Sequence, residues 1–87
     1  VELGLANRAV PAEELQSTAL EWAETLAKRA PRSIAATKKV MRHAIDNDWA
    51  STFDMEADWQ QALAGSDDNV EGVAAFFEKR EPKFQGK

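Results

Sequence analysis

What most constrains this chain is where it cannot continue a regular element: Gly4, Pro11, Pro31, Gly65 and Pro82. Proline lacks the backbone N–H and clashes with the preceding turn, while glycine is the residue most at ease with a positive φ. Between these breaks the apolar residues recur every three or four positions, the period of a helix with one buried face. The sequence therefore predicts an all-α assembly of four helices joined by short links.

Val1–Val10 reads as a helix end, a turn and a short strand-like connector. Gly4 suits the position just past a helix, and Leu5–Val10 reads as extended. A lone strand leaves its backbone donors and acceptors without partners. No other segment has strand character, so the partner strands are expected in a β-rich core upstream of Val1.

The first helix is expected over Pro11–Ala30, with Leu15, Ala19, Trp22, Ala23, Leu26 and Ala30 on one face. Pro11 is tolerated at a helix start, and Glu13 and Glu14 favour the positive end of the dipole. Glu24 and Lys28 are spaced to pair on its outer side. A second helix runs from Pro31 to about Asp46, with Ile34, Met41 and Ile45 as its buried stripe, and Asn47 and Asp48 break it. Ser51 is expected to cap a third helix, with Asp54 completing a capping box and Phe53, Glu56, Trp59 and Leu63 on one side. After Gly65, Ser66 or Asp67 caps a fourth helix from Asp68 to about Arg80, with Val70, Val73, Phe76 and Phe77 as its apolar set. The tail EPKFQGK is expected to be irregular and docked through Phe84.

An 87-residue chain carrying three Trp and four Phe has more aromatic rings than so small a core holds. Some of these rings are expected to face a partner surface. The formal charge of −4 disfavours nucleic acid and anionic membranes as partners. With no Cys, disulfides and thiolate metal sites are excluded, and His43 has no second candidate ligand at a useful spacing. No apolar run has the length of a bilayer crossing. Lys38, Lys39 and Arg42 form a basic cluster, open to reading as a phosphate site or as a solvated face. Gly72 sits inside the fourth helix, where it either permits a close approach or is neutral.

Three segments carry a family resemblance: GLANRAVPAEEL from Gly4, ATKKVM from Ala36, and SDDNVEGVAAFFEKREPKF from Ser66. In order and content they resemble the C-terminal segment of the enoyl-CoA hydratase/isomerase (crotonase) family. Ala6, where the family usually has Val, and Phe77, where aliphatic residues are common, depart from the pattern.

The resemblance implies an acyl-CoA hydratase or isomerase whose oxyanion-hole amides and catalytic carboxylates lie outside this chain. Residues 1–10 would then be the connector from the core, and residues 11–87 the helical region that closes the coenzyme A pocket and assembles the oligomer. The full protein would be a trimer or hexamer and the segment alone a dimer, working in the cytoplasm without nucleic acid or membrane. It would hold no tightly bound cofactor, coenzyme A serving as the substrate's carrier. The family motif Ala-Phe-x-Glu-Lys-Arg maps onto Ala75–Arg80, which makes Phe76 and Lys79 the implied coenzyme A contacts. A ring can stack on adenine and an ammonium can pair with the ribose phosphate. Their three-residue spacing suggests a shared helix face, and spacing alone leaves open that Phe76 is core and Lys79 a solvated charge. Trp22, Trp49 and Trp59 are open to a role along an acyl pocket or in packing.

Overall fold

In the computed structural model, which describes residues 1–87, the helices start and stop where local chemistry dictates. The lead-in turns at Gly4, whose N–H donates to the Val1 carbonyl at 3.0 Å with φ +74°. The expected strand at Leu5–Val10 does not form, because no neighbouring strand offers it a ladder. This stretch is held instead by the Arg8 guanidinium, 4.8 Å from the centre of the Trp22 ring.

A single 3-10 turn over Ala12–Glu14 leads into α1, Leu15–Ala27. The helix stops short of the expected Ala30. Pro31 disfavours helical geometry in the residue before it, and Ala30 is pushed to ψ 112°. Glu24 and Lys28 form no ion pair. Pro31 opens α2, Pro31–Asp46, at the first-turn position where its missing N–H costs nothing.

The cap of α3, Trp49–Leu63, is Asp48 rather than Ser51. Asp48 is extended, so its Oδ1 accepts the Ser51 N–H at 2.8 Å, and Asp54 has no part in the cap. For α4, Asp67–Glu78, Ser66 is the cap and its hydroxyl oxygen accepts the Asn69 N–H at 3.2 Å. The Asn69 side chain returns the favour by accepting the Gly65 N–H. The helix ends at Glu78, two residues before the expected Arg80, because Lys79 turns left-handed.

The architecture is all-α, four helices with no strand, and α2 on α3 is the main helix–helix contact. Only Ala36, Asp68 and Ala75 are buried. The accessible surface is 7444 Å², against about 5,100 Å² for a self-contained globule of this mass. The radius of gyration is 16.3 Å, against roughly 12 Å for a compact chain of this length. Both measures describe a thin, open arrangement. The buried stripes expected from periodicity are thus only partly covered. In α2, Ala36 is buried and Ile34 and Val40 half-buried, but Met41 and Ile45 face solvent. In α4 the whole expected set, Val70, Val73, Phe76 and Phe77, is exposed. The periodicity marks these faces correctly as apolar; this chain has no element to lay against them.

Candidate functional site

The C-terminal end of α4 closes in a Schellman motif. The Arg80 N–H donates to the Ala75 carbonyl at 3.0 Å, and the Lys79 N–H donates to the Phe76 carbonyl at 3.3 Å. Lys79 takes the left-handed position at φ 55°, ψ 42°. The chain's other positive-φ residues are all glycines, Gly4, Gly65 and Gly86. A side chain in this conformation costs about 1 kcal/mol or more relative to glycine. A non-glycine residue at such a position is uncommon.

Phe76 is 79 % exposed and meets Phe77 edge-to-face, with ring centroids 5.7 Å apart. It lines a cleft of about 640 Å³ between α2, α3 and α4, along with Met41, Trp59 and Phe84. Lys79 is exposed and lies outside the helix, so the common-face reasoning for the two residues stops at Glu78. The two are linked through the backbone of the cap, where the Phe76 carbonyl accepts the Lys79 N–H.

Around this cap the tail folds back along α4. Glu71 accepts two hydrogen bonds from the Arg80 guanidinium, at 2.6 and 2.9 Å, and one from the Lys83 N–H at 2.7 Å. The guanidinium and then the Lys83 amide hold the Glu71 carboxyl down from an ordinary 4.5 to about 2. Arg80 also bonds Glu78, and its two carboxylate partners raise its own already high pKa. The buried Asp68 carboxylate accepts the N–H groups of Gln85 and Gly86 at 2.6 and 2.8 Å. Its own N–H donates to the Lys87 carbonyl at 3.1 Å. Phe84 lies across Gly72, where an added Cβ would sit 3.5 Å from the ring, and Gly86 reaches Pro31 at the start of α2. The tail is therefore held along α4, with Gly86 near the start of α2, and Phe84 docks as expected.

Sequence reasoning missed this acidic clamp. Asp68, Glu71 and Arg80 find partners nine to eighteen residues away, across a chain reversal that no helical period encodes. Pro82 and Gly86 were the visible hints of that reversal.

Other singled-out residues have local partners. Lys39 sits 4.6 Å from the centre of the Trp59 ring, so the basic cluster is partly spent on packing α2 against α3. The His43 Nε2 is 3.3 Å from the Ser51 hydroxyl. No group of three His, Cys, Asp or Glu is placed to hold a metal ion. No helix is long and apolar enough to cross a membrane. Trp49 stacks on Phe53 with centroids 5.2 Å apart, both exposed.

Comparison with known proteins accounts for the whole chain. The sequence profile described as Enoyl-CoA hydratase/isomerase matches residues 1–87. A protein of Arabidopsis thaliana named probable enoyl-CoA hydratase 2, mitochondrial, is 36% identical over 95% of this chain and 28% of its own length. The methylmalonyl-CoA decarboxylase of Escherichia coli is 34% identical over 97% of this chain and 33% of its own. Among solved structures, an enoyl-CoA hydratase from Bacillus anthracis superposes with a TM-score of 0.93 at 31% identity, covering 99% of this chain and 33% of that one. The chain thus spans about a third of the length of the relatives it matches. With sequence and helical arrangement matching from end to end, the chain belongs to the enoyl-CoA hydratase/isomerase family.

Proposed function

We propose that this chain is the C-terminal helical part of an acyl-CoA-processing enzyme. That enzyme hydrates an enoyl-CoA thioester or shifts its double bond through an enolate stabilised by an oxyanion hole. Residues 1–10 connect to the body that makes and breaks bonds, and residues 11–87 serve oligomer assembly and the coenzyme A pocket. Relatives named as a hydratase and as a decarboxylase both match over nearly the whole chain. The substrate class proposed is therefore the acyl-CoA thioester, with coenzyme A as carrier and no tightly bound cofactor. The proposed assembly is a trimer or hexamer, the proposed location the cytoplasm. The Arabidopsis relative's name specifies mitochondria, and cell fractionation distinguishes the two.

The coenzyme A contact rests on one observation: Lys79 keeps a side chain where the fold favours glycine, three residues after Phe76, whose ring is exposed. The ring offers a stacking face for adenine and the ammonium a partner for phosphate. The carboxylates with the firmest contacts, Asp48, Asp68 and Glu71, are spent on backbone amides and a guanidinium. They act as anchors, which supports placing proton transfer elsewhere.

The open arrangement favours a second reading, a non-catalytic helical module that self-associates. One experiment separates the two: enoyl-CoA turnover by the protein as its gene encodes it and by the pure 87-residue chain. The enzyme reading expects turnover from the first and none from the second. Turnover by the pure chain would show that bond making resides within it. An inactive gene product that still oligomerises would favour the module.

A further inference from the structure

The two side-chain ion pairs of this chain both involve Arg80, and they bracket Lys79. Glu78 and Arg80, its neighbours on either side, are bonded to each other across it. Arg80 is gripped at its far end by Glu71, which also takes the Lys83 amide. Lys79 is thus a left-handed residue between two ion-paired neighbours. A two-pronged guanidinium–carboxylate contact fixes direction as well as distance. Left-handed strain persists only where its surroundings over-determine it, and the glycine that would remove it is absent at this position alone among the positive-φ residues.

Resting on the reading of Lys79 as a phosphate contact, we infer that Glu71, acting through Arg80, is a positioning residue that fixes the backbone from which Lys79 reaches the ribose phosphate of coenzyme A. Glu71 itself touches no substrate. It holds the chain leaving α4 so that the Lys79 side chain departs from a fixed backbone position, which lowers the ordering cost of binding. The Glu71 carboxyl stays ionised throughout the neutral range, so the grip is constant there.

The test uses the gene-encoded protein, with coenzyme A and its 3′-dephospho form as calorimetric probes. The preference for the phosphorylated form isolates the phosphate contact from stacking and pocket closure. Lys79→Ala is expected to abolish that preference. Glu71→Gln is expected to shrink it by roughly 3- to 10-fold while leaving dephospho-coenzyme A affinity unchanged. Arg80→Lys keeps the charge but loses the fork, and it should reproduce the effect should Glu71→Gln not fold. If Lys79→Ala leaves the preference intact, the phosphate reading fails and this inference with it. If Lys79→Ala abolishes it but the clamp variants retain it, the positioning role alone is overturned. Equal weakening of both probes in the clamp variants would also overturn it, because that is the signature of general loosening.

Discussion

Lys79 and Asp68 show how much a single position can decide. At φ 55° Lys79 is the one non-glycine residue with a left-handed backbone. Lys79→Gly is therefore expected to stabilise the chain by about 0.5–1 kcal/mol, less what is lost in favourable charge at the helix end. The thermal midpoint should rise by roughly 2–8 °C; a fall would show that the conformation carries no strain. Asp68 makes the opposite case. Its buried carboxylate accepts the amides of Gln85 and Gly86 in the tail. Asp68→Ala removes both charge-assisted bonds and should cost about 2–3 kcal/mol in a denaturant titration. The exposed cap Asp48, with one strong backbone bond to replace by water, should cost less when changed to Ala. Equal losses from the two would mean that the tail is not an integral part of the fold.

At the scale of elements, the tail behaves as a strap on α4, and its Glu71 anchor responds to acid. Glu71 has its pKa lowered from 4.5 to about 2. Its unfolded form takes up a proton before its folded form does, so the stabilisation is complete above the ordinary value. It is then lost as pH falls from 4.5 towards 2. The expected observation is faster hydrogen exchange, relative to the intrinsic rate, at the Lys83 amide over that interval. Amides inside α2 should change less, since Glu71 makes no bond to them. A protection factor at Lys83 that stays constant through the interval would mean that the carboxylate does not hold this part of the tail. Gly72 also belongs to this scale. Phe84 rests on it at ordinary contact distance, so the glycine serves the strap and leaves room for an alanine.

The molecule as a whole exposes about 2,300 Å² more than a globule of its mass would. A stable protein interface takes about 800 Å² from each partner. Trp49, Phe53, Phe76 and Phe77 all contribute to the exposed surface. By itself the chain is expected to self-associate at tens of micromolar and to bind a hydrophobic dye. Sedimentation at rising concentration measures the first and dye fluorescence the second. A monomer that stays monomeric and binds no dye would mean that these faces need no partner.

The sequence by itself determined the four helices, both ends of α2 and the apolar identity of each face, because these follow from period, proline and cap chemistry over a few residues. Pro31 set the start of α2 and Ser66 the start of α4 by rules that operate within one turn. The motif from Ala75 to Arg80 also pointed to Phe76 and Lys79. Other features lay beyond local rules. Ser51 was expected to cap α3, and the extended backbone at Asp48 gives that place to Asp48. The strand at Leu5–Val10 needed a neighbour that these residues do not supply. The link between Phe76 and Lys79 was read as a helix face and is a left-handed cap. Which apolar faces stay uncovered, and how Asp68, Glu71 and Arg80 strap the tail, depend on chain reversals over nine to eighteen residues. Only the tertiary structure decides such contacts, because their geometry is fixed by elements meeting in space, which spacing along the chain does not record.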